Sequence, residues 1–304
     1  MTNMGGNDDN SPAANGIMAA RLTQHVRRLA ADIGERNVFH PQALQAAEDY
    51  IRQCWRQQGY HITAQDYVAM KVRSANLEIT RRGKQYPDEI ILLGAHYDSV
   101  RGSPGANDNG SGVAALLELS RLFSAITPAC SVRFVAFTNE EPPFFRAGRP
   151  GSMLYAREAR RRGDAIRLMI SLETIGSYSS KPGSQTYPPL FRYFFPDRGD
   201  YIAFVSNFRS RKPMHHLAEA FRASTDFPLQ HVATSALVPG VAWSDHLSFW
   251  RKRYRAMMIT DTAFYRYPYY HTAQDTPDRL NYDEFARMLN GLYRALRLVV
   301  DTPP

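Results

Sequence analysis

Imidazole and carboxylate side chains follow several apolar runs of this sequence, and their types suit metal chemistry. Two imidazoles with three carboxylates form a mixed nitrogen and oxygen donor set, which suits Zn²⁺ and, less well, Co²⁺ or Mn²⁺. Further carboxylates beside such a set are available for proton transfer or for orienting a ligand. The candidate residues, in chain order, are His96, Asp98, Asp108, Glu140, Glu141, Glu173 and His271.

Two of these segments allow roles to be assigned from the residues alone. His96 and Asp98 are two positions apart at the end of a strand, so their side chains point the same way, and Asp98 is placed to accept the spare ring N–H of His96. The alternative is a core histidine satisfied by ordinary hydrogen bonds. The adjacent carboxylates Glu140 and Glu141 repel one another, which predicts a nearby cation or a retained proton. Neighbouring residues point in different directions, so one of the two can bind metal while the other faces a reacting water.

Asp108 lies in the glycine-rich segment 105–112, directly before an apolar helix. A sharp backbone bend there can place its carboxylate over the sheet, where it could bridge two cations. Asp108 as a helix cap is one alternative. A dinucleotide-binding turn at 110–115 is another, but that motif needs its first glycine at the strand end, and a loop intervenes here.

Other hydrolase signatures are absent. The sequence contains neither HExxH nor a GxSxG nucleophile elbow. Ser244, Asp245 and His246 are adjacent, whereas a catalytic triad is assembled from separate segments, so we interpret Asp245 and His246 as either pocket-wall or purely structural residues. The segment 275–278 is interpreted as an ordinary turn before the last helix.

Apolar runs alternate with helical patterns and predict the elements that carry these residues. This pattern predicts a three-layer α/β fold (α-β-α), with a central, mixed and mostly parallel sheet, in which ligands bind beyond the carboxyl ends of the strands. The expected strands are Tyr60–Met70, Ala75–Thr80, Glu89–Ala95, Val132–Thr138, Ile166–Leu172, Tyr201–Ser206 and Ala256–Thr260. The expected helices are Ile17–Ile33, Pro41–Gly59, Ser111–Ser124, Gly151–Arg162, Met214–Ser224 and Tyr282–Val300.

Length and composition limit the remaining possibilities. The 304 residues, 44% of them hydrophobic, predict a disordered tail over 1–16 and a single domain over 17–304. The net charge of +8 falls largely on helical arginines, so no nucleic-acid partner is expected. No membrane partner is expected either, since no spanning segment or secretory signal is seen, and the chain is predicted to be cytoplasmic. Cys54 and Cys130 are expected to be buried and reduced.

The ordered set of residues resembles metallopeptidase family twenty-eight, from Glu89 to Val300. That family includes bacterial leucyl aminopeptidases, glutamate carboxypeptidase II and, more distantly, the glutaminyl cyclases. The resemblance implies a zinc-dependent aminopeptidase that cleaves N-terminal residues from peptide or aminoacyl substrates through a water activated by two zinc ions. It implies that Glu140 is the general base and that Asp98 orients His96. It further implies that Asp108 bridges the two ions and that His96, Glu141, Glu173 and His271 are the other ligands.

One residue departs from the family pattern. The family usually has Asp where this chain has Glu173, which affects the geometry and occupancy of one metal position. A glutaminyl cyclase-like mono-zinc acyltransferase is therefore one alternative, and a catalytically inert binding domain of the same fold is a separate one. The aromatic and proline-rich loop 177–200 begins beside Glu173, and we expect it either to form a pocket for a large apolar side chain or only to anchor itself to the core. The aromatic residues expected to line such a pocket are Tyr187, Phe191, Tyr193, Phe194 and Phe195.

Overall fold

A single mixed sheet is the framework of the molecule. The computed structural model describes residues 11–145, 147–148, 150–188 and 191–302. Its eight-stranded sheet has the order β1-β2-β4-β3-β5-β8-β6-β7. The strands are β1 Thr63–Ala69, β2 Val72–Arg81, β3 Tyr86–His96, β4 Cys130–Phe137, β5 Ala165–Glu173, β6 Ile202–Ser206, β7 Leu229–Ala233 and β8 Ala256–Thr260. The pairs β3–β4, β3–β5, β5–β8 and β6–β7 are parallel, and β1–β2, β2–β4 and β6–β8 are antiparallel.

Helices cover both faces of this sheet. They are α1 Pro12–Arg27, α2 Pro41–Gln57, α3 Gly112–Ser124, α4 Gly151–Arg162, α5 Arg211–Ser224, α6 His246–Arg251 and α7 Tyr282–Val300. Ile91 and Leu93 of β3 join the apolar cluster that contains α1, α2, α3, α5 and α7. Ile90 and Leu92 join the opposite cluster, which contains α4 and α6. Alternate residues of one strand therefore pack against different layers, which confirms the predicted three-layer arrangement.

The amino-terminal helix begins earlier than predicted. Ser11 caps it by accepting a hydrogen bond from the main-chain N–H of Ala14 at 3.2 Å, and Pro12 fits the first helical turn. The expected start at Ile17 is wrong, and the predicted disordered tail over 1–16 fails for residues 12–16. Residues 1–10 of that tail lie outside the described part of the chain.

Two elements escaped the sequence analysis. Strand β7 is a short edge strand in which only Leu229 is buried, so it lacks a clear apolar pattern. Helix α6 is too short for its period to be visible. Within the described residues, no helix is long and apolar enough to cross a membrane. Cys54 and Cys130 are buried and unpaired, as expected.

Candidate metal centre

The candidate residues converge at the carboxyl ends of the central strands. His96 is the last residue of β3 and Glu173 is the last residue of β5. Glu140 and Glu141 follow β4 after a short connection, and Asp108 lies in the loop before α3. The four segments meet because β4, β3 and β5 are parallel neighbours whose carboxyl ends share one edge.

Asp108 lies between two groups of potential ligands. Its Oδ1 atom is 3.4 Å from Nε2 of His96, which is also 3.4 Å from Oε1 of Glu173. Its Oδ2 atom is 2.9 Å from Nε2 of His271, which is 3.4 Å from Oε2 of Glu141. Within each group the ligand atoms lie within 4.8 Å of one another, so each group can hold one ion while sharing Asp108.

The charges of these buried groups are strongly coupled. Burial opposes ionisation of Asp108, but the two histidines outweigh it and hold the pKa of this carboxyl below its ordinary value. Burial, together with the charge of Asp108, raises the pKa of Glu141 to about 7. Burial would lower the pKa of His271, but Asp108 and Glu141 raise it to about 10. The carboxylates and imidazoles of the two groups therefore shift one another's pKa values, and a bound cation would act on the same charges.

Two buried carboxylate oxygens of the ligand groups are available to bind a cation. Among the described residues no hydrogen-bond donor is well placed for Oδ2 of Asp108 or Oε1 of Glu141, both of which are buried, although a ring nitrogen of His271 lies 2.9 Å from the first. Buried carboxylate oxygens normally accept hydrogen bonds, and a metal ion satisfies them equally well. The donor set of two imidazoles and three carboxylates matches Zn²⁺ chemistry.

Asp98 contacts both His96 and the pair of glutamates. Nδ1 of His96 lies 3.1 Å from the main-chain oxygen of Asp98 and 3.5 Å from its carboxylate, so both groups of Asp98 lie beside the ring. The carboxylate also accepts hydrogen bonds from the main-chain N–H groups of Glu140 and Glu141, at 3.2 and 3.1 Å. Asp98 thus links the β3 end to the pair of glutamates.

The loop that carries Asp108 is held by residues that the sequence analysis missed. Oδ1 of Asn109 accepts the N–H of Gly112, the first residue of α3, at 3.1 Å, so Asn109 rather than Asp108 satisfies the main chain at the start of this helix. Asp275 is fully buried and accepts hydrogen bonds from the main-chain N–H groups of Asn107 and Asp108, at 2.8 and 3.1 Å. The interpretation of 275–278 as an ordinary turn is wrong for Asp275. Its burial inside a polar turn gave no signal in the sequence.

Strained backbone surrounds the site. Asn139, Thr174 and His271 have positive φ angles of 57°, 47° and 59°. A positive φ is unfavourable for any residue with a Cβ atom, and especially for the β-branched Thr174. Thr174 is retained there by hydrogen bonds, including its N–H to Oδ1 of Asn109 at 3.2 Å. Asn139 and Thr174 flank Glu140 and Glu173, and His271 is the second candidate histidine ligand. The strain therefore lies at positions where the backbone sets the orientation of candidate site residues.

The segment Ser244 to His246 borders the centre without forming a triad. Ser244 donates a hydrogen bond to Oε2 of Glu173 at 2.7 Å, which leaves Oε1 facing His96. Asp245 is buried, no donor in the described part of the chain is well placed for either of its carboxylate oxygens, and burial raises its pKa to about 7. His246 contacts the main-chain oxygen of Val241 at 2.8 Å, and burial lowers its pKa to about 4. His246 therefore anchors the loop before α6.

Comparison with known proteins agrees with this arrangement. The sequence model of peptidase family M28 matches residues 76–296. The chain belongs to peptidase family M28. This M28 chain is 38% identical over 285 residues to the uncharacterized protein YfbL of Escherichia coli K12, covering 91% of this chain and 87% of YfbL. The predicted family, and with it a zinc peptidase of the hydrolase class acting on peptides, is confirmed.

Solved structures share the fold of this M28 chain. A zinc aminopeptidase from Bacillus subtilis superposes with a TM-score of 0.75 at 14% identity, over 93% of this chain and 95% of that one. A glutaminyl cyclase from Tannerella forsythia superposes with a TM-score of 0.68 at 19% identity, over 94% and 99% of the two chains. At these identities the likeness shows the fold alone. Because both activities occur on it, the choice between them depends on the residues of the site.

Proposed function

We propose that this M28 protein is a zinc-dependent aminopeptidase that removes N-terminal residues from peptides. The observation that carries the proposal is the pair of ligand groups that share Asp108, with Glu140 beside them. His96, Asp108 and Glu173 would hold one zinc ion, and Asp108, Glu141 and His271 would hold the second. When bound, zinc supplies a Lewis acid that polarises a carbonyl group and makes water nucleophilic near neutral pH.

Glu140 is the proposed general base. Burial is the main cause that raises the pKa of its carboxyl well above the ordinary value, and Glu141 and Glu173 add to it. In its ionised form this carboxylate would accept a proton from water and return it to the leaving amine. Asp98 accepts the main-chain N–H of Glu140 and thereby fixes the backbone from which this side chain projects.

Glu173 occupies the position where the family usually has Asp, and its surroundings compensate for the longer side chain. Ser244 holds Oε2 at 2.7 Å, and Nδ2 of Asn109 lies 3.4 Å from the same atom. Only Oε1 then faces His96, as a shorter carboxylate ligand would. This supports occupancy of both metal positions.

An apolar cavity of about 110 Å³ begins at Glu173 and supports a preference for large apolar N-terminal residues. An apolar cavity of roughly 150 Å³ accommodates benzene, so this volume suits a branched aliphatic side chain. Tyr187, Phe191 and Phe195 of the aromatic loop line it, which favours the pocket-forming alternative. Tyr193 and Phe194 were expected to line it too, but their side chains are 68% and 80% exposed and lie outside it.

Truncation of a lining ring tests this preference. Phe191→Ala should lower kcat/KM for leucyl and phenylalanyl substrates more than for alanyl ones, by roughly 1–3 kcal/mol of discrimination. Phe194→Ala is the matched control, because it removes the same ring from the same loop outside the cavity, and it should leave the ratio unchanged. Equal losses for all substrates after Phe191→Ala, with a lower melting temperature, would assign the ring to loop anchoring alone.

A panel of substrates tests the activity itself. We expect release of nitroaniline from leucyl-nitroanilide and none from its N-acetyl derivative, because an aminopeptidase needs the free amine. Cleavage of an N-blocked dipeptide would indicate a carboxypeptidase instead. Ammonia release from an N-terminal glutaminyl peptide would favour the glutaminyl cyclase alternative. That alternative is motivated by the presence of Glu173 where the family usually has Asp. No turnover with any of them would favour the inert binding domain.

A further inference from the structure

Arg36 is a completely buried arginine in the amino-terminal segment, outside the residues 76–296 that define the family match. It follows a π-helical turn, Arg28–Ile33, that continues α1. Its guanidinium makes five hydrogen bonds, all to main-chain carbonyl oxygens. Burying a cation is costly, so a chain retains one where the many donors of a guanidinium are needed.

These five bonds join three separate segments. Nε donates to the carbonyl of Tyr97 at 2.7 Å, directly after His96. Nη2 donates to the carbonyl of Gly105 at 2.8 Å, and Nη1 donates to that of Pro104, shortly before Asp108. Nη1 also reaches the carbonyls of Leu29 and Gly34, at 3.5 and 3.3 Å. One side chain therefore ties both ends of the loop between two proposed metal ligands to the amino-terminal helix.

The main chain of the same residue reinforces the connection. The N–H of Arg36 donates to Oγ of Ser99 at 3.1 Å, and the N–H of Ser99 donates to the carbonyl of Arg36 at 2.9 Å. Gly105 has a positive φ of 62°, and a Cβ atom there would collide with the main-chain oxygen of Asp108. The loop thus turns back tightly on the guanidinium just before Asp108.

The charge of Arg36 also suits this place. Burial lowers its pKa to about 10, so the side chain stays protonated at neutral pH, and Asp275, Asp98, Asp108 and Glu141 act on it as nearby negative charges. A fixed cation behind an acidic centre offsets the mutual repulsion of its carboxylates.

We propose that Arg36 is a positioning residue for the metal centre. It clamps the loop 97–105 and thereby keeps His96 and Asp108 close enough for one ion to bind both. This inference rests on the proposed zinc chemistry. It makes the amino-terminal segment a part of the metal centre, although every proposed ligand lies elsewhere in the chain.

The deciding variant is Arg36→Lys, which keeps the charge but supplies too few donors for the five carbonyls. Metal-free protein should be titrated with zinc against a chromophoric chelator, well below the melting temperature. We expect zinc affinity to fall by at least roughly tenfold, as it does when residues supporting metal ligands are lost. The visible spectrum of the Co²⁺ form should also change, because the ligand geometry changes. Ser99→Ala, which removes one hydroxyl of the same connection, should give a smaller loss.

The matched control is Arg28→Lys, at an exposed arginine of the preceding turn that pairs with Asp32. It should bind zinc as the wild type does. Wild-type zinc affinity and an unchanged Co²⁺ spectrum in Arg36→Lys would overturn the inference, even if that variant melts at a lower temperature. Failure of the wild-type protein to bind zinc would instead contradict the proposed function, so the two failures are distinguishable.

Discussion

Glu140→Gln is expected to reduce kcat by about 10²–10⁴-fold, the range that positioned general acids and bases contribute. The amide keeps the size of the side chain but cannot accept and return a proton. Zinc content should stay near that of the wild type, because the two ligand groups that share Asp108 do not include Glu140. The measurements are steady-state kinetics with leucyl-nitroanilide and elemental analysis of the same preparation.

Zinc content matters in this experiment because a third possible ligand group contains His96, Glu140 and Glu141. A variant that loses zinc together with activity would identify Glu140 as a ligand rather than a base. Full activity would remove Glu140 from the mechanism. Glu158→Gln is the matched control, since Glu158 lies on α4 and pairs with Arg161 away from the centre, and it should change neither quantity.

Asp108→Ala is expected to remove most of the bound metal. Wild-type protein purified without chelator should contain nearly two zinc ions per chain, and this variant should contain fewer than one, because Asp108 belongs to both ligand groups. His271→Ala affects only one group and should retain about one ion. Elemental analysis of the three proteins gives these numbers directly. The exposed Asp278 provides the control Asp278→Ala, which should retain the wild-type content.

The pattern of losses separates the competing schemes. Equal loss of zinc in Asp108→Ala and His271→Ala would mean that only the group of Asp108, Glu141 and His271 binds metal. A wild-type content near one ion would point the same way and favour the mono-zinc alternative, with Glu173 as the first residue to exchange for Asp. A metal-free wild type with undiminished activity would contradict the metal mechanism altogether.

The sequence by itself determined which chemistry was available and on which edge of the sheet it would lie. His96 and Glu173 end apolar strands, and the carboxyl ends of neighbouring parallel strands share an edge, so local pattern was sufficient to bring these segments together. The layer arrangement followed in the same way, because continuous apolar strands separated by helices must be covered on both faces.

Only the tertiary structure decided how distant segments meet. His271 lies opposite Asp108 because of the path of a long connection after β8, which no local period encodes. The support of the Asp108 loop by Asp275, and the clamp by Arg36, depend on single buried polar contacts between segments far apart in the chain. Such contacts have no sequence signature, since a buried and an exposed charged residue look alike until the backbone around them is placed.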